Sequence, residues 1–168
     1  MIVEPFDKER HFLLLFIASL GACAGSIQLG PGAYAAAADS GFTVNVSLSP
    51  QAASRLAQLA EPITMSALYY GEPTRAARRH ADEMGQIDLG TDEMTIPGSG
   101  GAAQFTLRAL DRKHVVWGRN KDVKLNINVY TARHSDPNNL IACDFFDDSL
   151  SLALAHPINV GCKLIGEN

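Results

Sequence analysis

The fold is decided by residues 123–131, which read VKLNINVYT. Val123, Leu125, Ile127, Val129 and Thr131 line one face, and polar or aromatic residues occupy the positions between them. Such alternation predicts a β-strand with one buried face. A similar alternation runs from Phe42 to Leu48 and predicts the first strand of the domain.

Further alternating segments follow the same pattern along the chain. Strands are predicted at 63–69, 86–89, 93–96, 105–109, 141–145 and 158–164. Ser49-Pro50 predicts the start of a helix. A serine side chain can cap the first N–H groups of a helix, and proline is tolerated at the first helical position because the N–H there has no partner within the helix. Residues 147–149 are expected to open a loop. The sequence therefore predicts an all-β fold: a small β-sandwich of about seven strands, transthyretin-like or immunoglobulin-like, with one short helix after the first strand.

The first 22 residues have the layout of an export signal. Lys8 and Arg10 precede an apolar run from Phe12 to Leu20, which is too short to span a bilayer as a permanent helix. Small residues follow the run. The tetrapeptide Leu20-Gly21-Ala22-Cys23 resembles the lipobox of bacterial lipoproteins.

This resemblance implies cleavage before Cys23 and attachment of lipid to its sulfur. Because Ala24 and not an aspartate follows, the protein is similar to lipoproteins sorted to the outer membrane and facing the periplasm. Residues 1–22 are then a signal peptide, 23–41 a lipidated cysteine and tether, and 42–168 the sandwich domain. Two alternatives stay open: cleavage after Ala24, which releases a soluble periplasmic or secreted protein, and an uncleaved, buried N-terminal helix of a cytosolic protein.

The cysteine count fits an exported protein. With Cys23 assigned to lipid, Cys143 and Cys162 remain, and both lie on apolar faces of predicted late strands. An oxidising compartment favours a disulfide between them. The bridge would close a loop of about 20 residues and contribute about 3 kcal/mol in the chain-entropy model.

Composition narrows the classes of partner. From Cys23 onward the chain carries 12 basic and 15 acidic residues, a net charge of −3. This balance argues against nucleic acid as a partner. The hydrophobic content of 46% indicates a globular domain.

No catalytic, cofactor or metal motif emerges. The histidines are too widely spaced in sequence to suggest a metal site, and no serine lies in a nucleophile elbow. The acidic cluster Asp144, Asp147 and Asp148, with Asp136 before it, lacks the calcium-loop pattern and is interpreted as solvated surface. Arg75, Arg78 and Arg79 are the candidate partner-binding residues, since their spacing would place them on one helix face.

We therefore expect a non-enzymatic, membrane-tethered envelope module that binds another envelope protein. In plan it is similar to the outer-membrane lipoprotein of type VI secretion systems, without a shared motif. One alternative is a periplasmic ligand-binding or enzyme-inhibitor lipoprotein, which predicts a deep pocket or a protruding loop with converging polar groups. Another is a cell-wall hydrolase, which requires folding to bring a histidine within hydrogen-bond reach of an acid.

Overall fold

Two four-stranded β-sheets make up the domain, in a computed structural model that describes residues 41–167. The strands are β1 (Phe42–Leu48), β2 (Ile63–Gly71), β3 (Ile87–Ile96), β4 (Gly101–Phe105), β5 (Lys124–Thr131), β6 (Ile141–Cys143), β7 (Phe146–Ser149) and β8 (Ile158–Leu164). The helices are α1 (Pro50–Leu59) and α2 (Leu150–Ala155). The predicted signal peptide (1–22) and the predicted lipidated segment up to residue 40 lie outside the described residues.

The sheets have the strand orders β4-β1-β8-β6 and β3-β2-β5-β7. Neighbouring strands are antiparallel, except that β1 runs parallel to β8 in the middle of the first sheet. The predicted all-β sandwich, with a short helix after the first strand, is confirmed. It has eight strands, in agreement with the expected number of about seven.

The inner faces of the two sheets share one hydrophobic core. Leu125, Ile127 and Val129 of β5 point into it, as their alternation predicts. Phe42 stacks on Phe105 with ring centroids 5.2 Å apart, and Tyr69 meets Phe42 edge-on at 6.5 Å. Burying an aromatic side chain contributes about 1.5–3 kcal/mol, so these three rings join the sheets firmly at one end.

Helix α1 forms where serine and proline predict its start. The Ser49 hydroxyl accepts a hydrogen bond from the Ala52 N–H at 3.1 Å, and Pro50 occupies the first turn. Ala60 ends the helix in the left-handed region, with φ at 51°. A serine cap contributes about 1 kcal/mol. No helix within residues 41–167 is long and apolar enough to cross a membrane.

Strand β3 corrects the prediction of separate strands at 86–89 and 93–96. It is continuous, and one extra residue bulges opposite β2 between Leu68 and Tyr70. Gly90 lies in this bulge with φ at 111°, and a Cβ there would lie 2.2 Å from the carbonyl oxygen of Ala109. Glycine therefore permits both the bulge and the close approach of residue 109.

The predictions for residues 105–109 and 145–149 were wrong in detail. Strand β4 ends at Phe105, and a turn follows where alternation had predicted strand up to residue 109. Residues 146–149 form edge strand β7, and α2 begins directly after it with Ser149 as its cap. Phe145, expected on a buried face, has 78% of its surface exposed.

The predicted disulfide is confirmed. Cys143 of β6 lies directly opposite Cys162 of β8, with the two Cα atoms 4.0 Å apart. Cys162 is buried and Cys143 is half-buried. The bond fastens β6, an edge strand of only three residues, to the centre of its sheet.

Glu61 is a buried carboxylate at the end of the sandwich where β5 finishes. It is 1% exposed and accepts hydrogen bonds from the backbone N–H groups of His134 and Ser135. Burial alone would raise the pKa of this carboxyl, but the hydrogen bonds from Ser135 and His134 outweigh burial and lower the pKa from its usual value. The ionised carboxylate thereby holds the turn after β5 against the end of α1.

Candidate interaction surface at one end of the sandwich

Two long loops meet at the end of the sandwich opposite Glu61. Residues 72–86 join β2 to β3, and residues 106–123 join β4 to β5. Tyr70 pairs with Lys124 in the β2–β5 register, so the end of β2 lies beside the start of β5. We call residues 72–86 and 106–123 together the basic end.

Backbone hydrogen bonds connect the two loops. The N–H of Thr74 donates to the carbonyl of Trp117 at 2.9 Å, and the N–H of Arg119 donates to the carbonyl of Glu72 at 2.6 Å. These bonds cross between segments that are distant in sequence. The basic end is therefore one surface built from both loops.

An aromatic stack completes the connection. Trp117 lies between two histidine rings. The centroid of its ring is 4.1 Å from that of His80 and 4.0 Å from that of His114, and all three planes are nearly parallel. His80 comes from the first loop, and the other two rings come from the second. Because both faces of the indole are covered, Trp117 presents only its edge to a partner.

His114 also forms the one pairing that the hydrolase alternative requires. Its Nδ1 atom lies 2.8 Å from a carboxylate oxygen of Asp111. Within residues 41–167, however, no serine, threonine or cysteine side chain hydrogen-bonds to His114. The pair therefore lacks the nucleophile of a triad, and its imidazole is held in the stack on Trp117.

Charge is unevenly distributed over the domain. The basic end holds eight of the 12 lysines and arginines of residues 41–167, together with five acids, giving a net charge of +3. The remainder of those residues carries four basic and nine acidic side chains, giving −5. A domain with little net charge overall thus has one clearly basic pole.

The acids of the basic end are mostly engaged within the protein. A carboxylate oxygen of Glu72 lies 3.7 Å from Nε of Arg119, and a carboxylate oxygen of Asp122 lies 3.6 Å from Nζ of Lys124. Asp111 pairs with His114, and Asp82 accepts hydrogen bonds from two backbone N–H groups of its own loop. These contacts compensate the negative charges locally.

Several cations of the basic end, in contrast, have no partner. Across residues 41–167, the side chains of Arg75, Arg78, Lys113 and Lys121 make no hydrogen bond or ion pair. All four are exposed. Their positive charge is therefore available to a partner.

The three arginines predicted as binding residues all lie on this surface. Arg75, Arg78 and Arg79 are exposed, and Arg79 donates to the imidazole of His80 at 3.0 Å. Their spacing would place them on one helix face, but the segment forms turns with one short 3₁₀ helix at Arg78–His80. The N–H groups of Ala77 and His80 donate to carbonyls only three residues back, so no α-helix forms there.

The acidic cluster that the sequence analysis interprets as solvated surface does not belong to the basic end. Asp147 accepts a hydrogen bond from Tyr70, and Asp144 accepts one from the backbone of Gly161. Burial, with the hydrogen bond to Asp147, raises the pKa of Tyr70 to about 12. In the part of the chain that the structure describes, no group of three His, Cys, Asp or Glu side chains gathers as a metal site would require.

A cleft of about 420 Å³ lies beside the disulfide. Ser47, Asp144 and Lys163 line it together with the paired cysteines. The Ser49 hydroxyl at its border donates to Glu167, and Asp144 is bonded to Gly161. Two of its polar lining groups, on Ser49 and Asp144, are thus already engaged with neighbouring residues.

Sequence reasoning missed the stack that organises the candidate surface. His80 and His114 are 34 positions apart, and this spacing does not indicate that their rings share a partner. The available signal was the single tryptophan of the chain within a polar loop. A tryptophan in such a place usually has packing partners, but the sequence does not indicate which residues they are.

Comparison with known proteins adds no relative. No family model matches the chain, and no curated protein and no solved structure is significantly similar to it.

Proposed function

We propose that this protein is a lipid-anchored lipoprotein of the bacterial cell envelope whose sandwich domain acts as a non-enzymatic interaction module. The observation that carries the proposal is Leu20-Gly21-Ala22-Cys23 at the end of the apolar run. A short apolar segment that ends in small residues is typical of an export signal. A cysteine at the cleavage position provides the thiol that lipid attachment requires.

The disulfide supports the same assignment. Stable disulfides are found mainly in exported proteins, because cytosolic thiols are kept reduced. Cys143 and Cys162 are bonded to each other, so Cys23 is the cysteine left for modification.

The domain supports binding more than catalysis. Its most distinctive surface is the basic end, where exposed cations surround a fixed aromatic stack. The ligand-binding form of the alternative would use the cleft beside the disulfide, where the Ser49 hydroxyl already donates to Glu167 and the Asp144 carboxylate already accepts from the N–H of Gly161. A surface that presents unpaired charge is better suited to a large partner than to a small enclosed ligand.

Lipid labelling of the full chain tests the proposal. In a two-membrane bacterium fed radioactive palmitate, the parent chain should carry label and sediment with the membranes. Cys23→Ala should lose the label to background, because the acceptor thiol is gone.

The matched control removes two other cysteines. The Cys143→Ala/Cys162→Ala chain should keep the label, since its lipid acceptor is intact. An unlabelled parent chain, or equal label on Cys23→Ala, would overturn the proposal.

A further inference from the structure

We propose that the basic end docks on an anionic lipid surface, namely the membrane that carries the anchor. This inference rests on the proposed function, because the anchor brings that membrane within reach. Three independent features of residues 41–167 support it: the free cations, the exposed apolar side chains beside them, and the place where the chain enters the domain.

The first feature is charge. Four cations without partners project from the basic end, whereas its acids mostly face internal partners. Each lysine or arginine held near an anionic bilayer strengthens binding by about 1 kcal/mol, roughly fivefold. On the outer face of the neighbouring sheet, Glu93 lies opposite Ser66 near the middle, whereas Asp88 and Asp147 lie closer to the basic end, opposite Tyr70 and Asn126. The charge of +3 on the basic end, against −5 on the rest of residues 41–167, would still turn this end toward the lipid.

The second feature is exposed apolar surface. Met84 is 82% exposed and Val116 is 58% exposed, and one lies on each loop of the basic end. Proteins that bind at the membrane interface combine cations with apolar side chains that enter the headgroup region. A purely electrostatic site for an acidic protein would not need these two residues.

The third feature is the entry point of the chain. Phe42, the first residue of β1, pairs with Phe105, and the second loop of the basic end begins at the next residue. The Phe42 ring also contacts Tyr69 near the end of β2, where the first loop begins. Residues 23–41 therefore join the domain at the basic end. Fully extended, that segment spans at most about 65 Å, so a membrane that holds an anchor at Cys23 lies within reach of the basic end.

The test uses the full chain with Cys23→Ala, so that docking is measured without the lipid. It is mixed with vesicles of phosphatidylcholine alone or of phosphatidylcholine with phosphatidylglycerol, and bound protein is sedimented. Trp117 is the only tryptophan of the chain, so its fluorescence reports on the basic end. We expect salt-sensitive binding to the anionic vesicles, with Trp117 emission moving to shorter wavelength.

Two double variants with the same net charge distinguish the effect of the basic end from the effect of the net charge of the protein. In this background, Arg75→Glu/Arg78→Glu should weaken binding to anionic vesicles at least about tenfold. Arg55→Glu/Lys163→Glu changes net charge equally but lies on α1 and on the distant part of β8. It should weaken binding less than about twofold, since both positions lie toward the opposite end of the sandwich, where β1 ends and α1 follows.

Other results would overturn the inference. Equal losses in both double variants would mean that net charge, and not this surface, drives binding. Equal binding to uncharged vesicles with unchanged Trp117 emission would place any contact outside the basic end. A Trp117 response to polyglutamate but not to anionic vesicles would identify a protein-facing surface. Each outcome is independent of the palmitate result, so a failure here leaves the anchoring proposal standing.

Discussion

Removing the disulfide should lower the melting temperature of the protein by about 10 °C, because about 3 kcal/mol of stability is lost. The Cys143→Ala/Cys162→Ala chain loses the bond that fastens β6 beside β8. In the unfolded state, the bridge closes the segment between two cysteines that are 19 positions apart into a loop. Without the bridge, this segment regains its conformational entropy, which favours unfolding. Thermal unfolding followed by circular dichroism measures the difference.

Cys23→Ala provides the matched control for cysteine removal. It changes a cysteine that precedes β1 in the sequence by 19 positions, so its melting temperature should equal that of the parent chain. Reducing agent should lower the melting temperature of both the parent and the control to that of the double variant. Equal melting of all three chains under oxidising conditions would show that the bridge contributes nothing.

Replacing Glu61 with glutamine should destabilise the protein by about 2 kcal/mol at neutral pH. The carboxylate accepts hydrogen bonds from the backbone of His134 and Ser135 in a buried position. An amide at the same place has one acceptor oxygen instead of two and directs its NH₂ group at a backbone donor. Urea denaturation measures the loss as a change in the free energy of unfolding.

The pH dependence of this effect has a definite sign. The pKa of Glu61 in the folded protein lies below its ordinary value of 4.5, so ionisation stabilises the fold above that pH. This stabilisation is lost as pH falls through the lowered pKa. The gap between parent and Glu61→Gln should therefore narrow as the pH falls below 4.5.

An exposed glutamate provides the comparison. Glu83→Gln, in the first loop of the basic end, should change stability by less than about 0.5 kcal/mol. A gap for Glu61→Gln that stays constant from neutral to acidic pH would contradict the role of its charge.

The strands that sequence predicted best are those with one face in the core. β1, β5 and β8 alternate because every second side chain is buried between the sheets. The period of two is then visible in the residues themselves. The disulfide followed from the same pattern, since both cysteines fall on apolar positions of neighbouring strands.

The elements that sequence missed depend on distant contacts. β7 contains two aspartates and forms because β5 offers it a hydrogen-bonding edge. Glu61 is buried because a turn more than 70 positions along the chain surrounds its carboxylate. His80 and His114 meet through Trp117, although nothing near either histidine marks it as a stacking partner. Local pattern does not encode such pairings.

Mass spectrometry of the mature N-terminus, on protein purified from envelopes of its host, distinguishes a lipidated chain from a released or an uncleaved one. We expect the first residue to be Cys23, carrying a thioether-linked diacylglycerol and an acylated amino group. An unmodified chain that begins at Gly25, or one that retains Met1 through Ala22, would contradict this expectation.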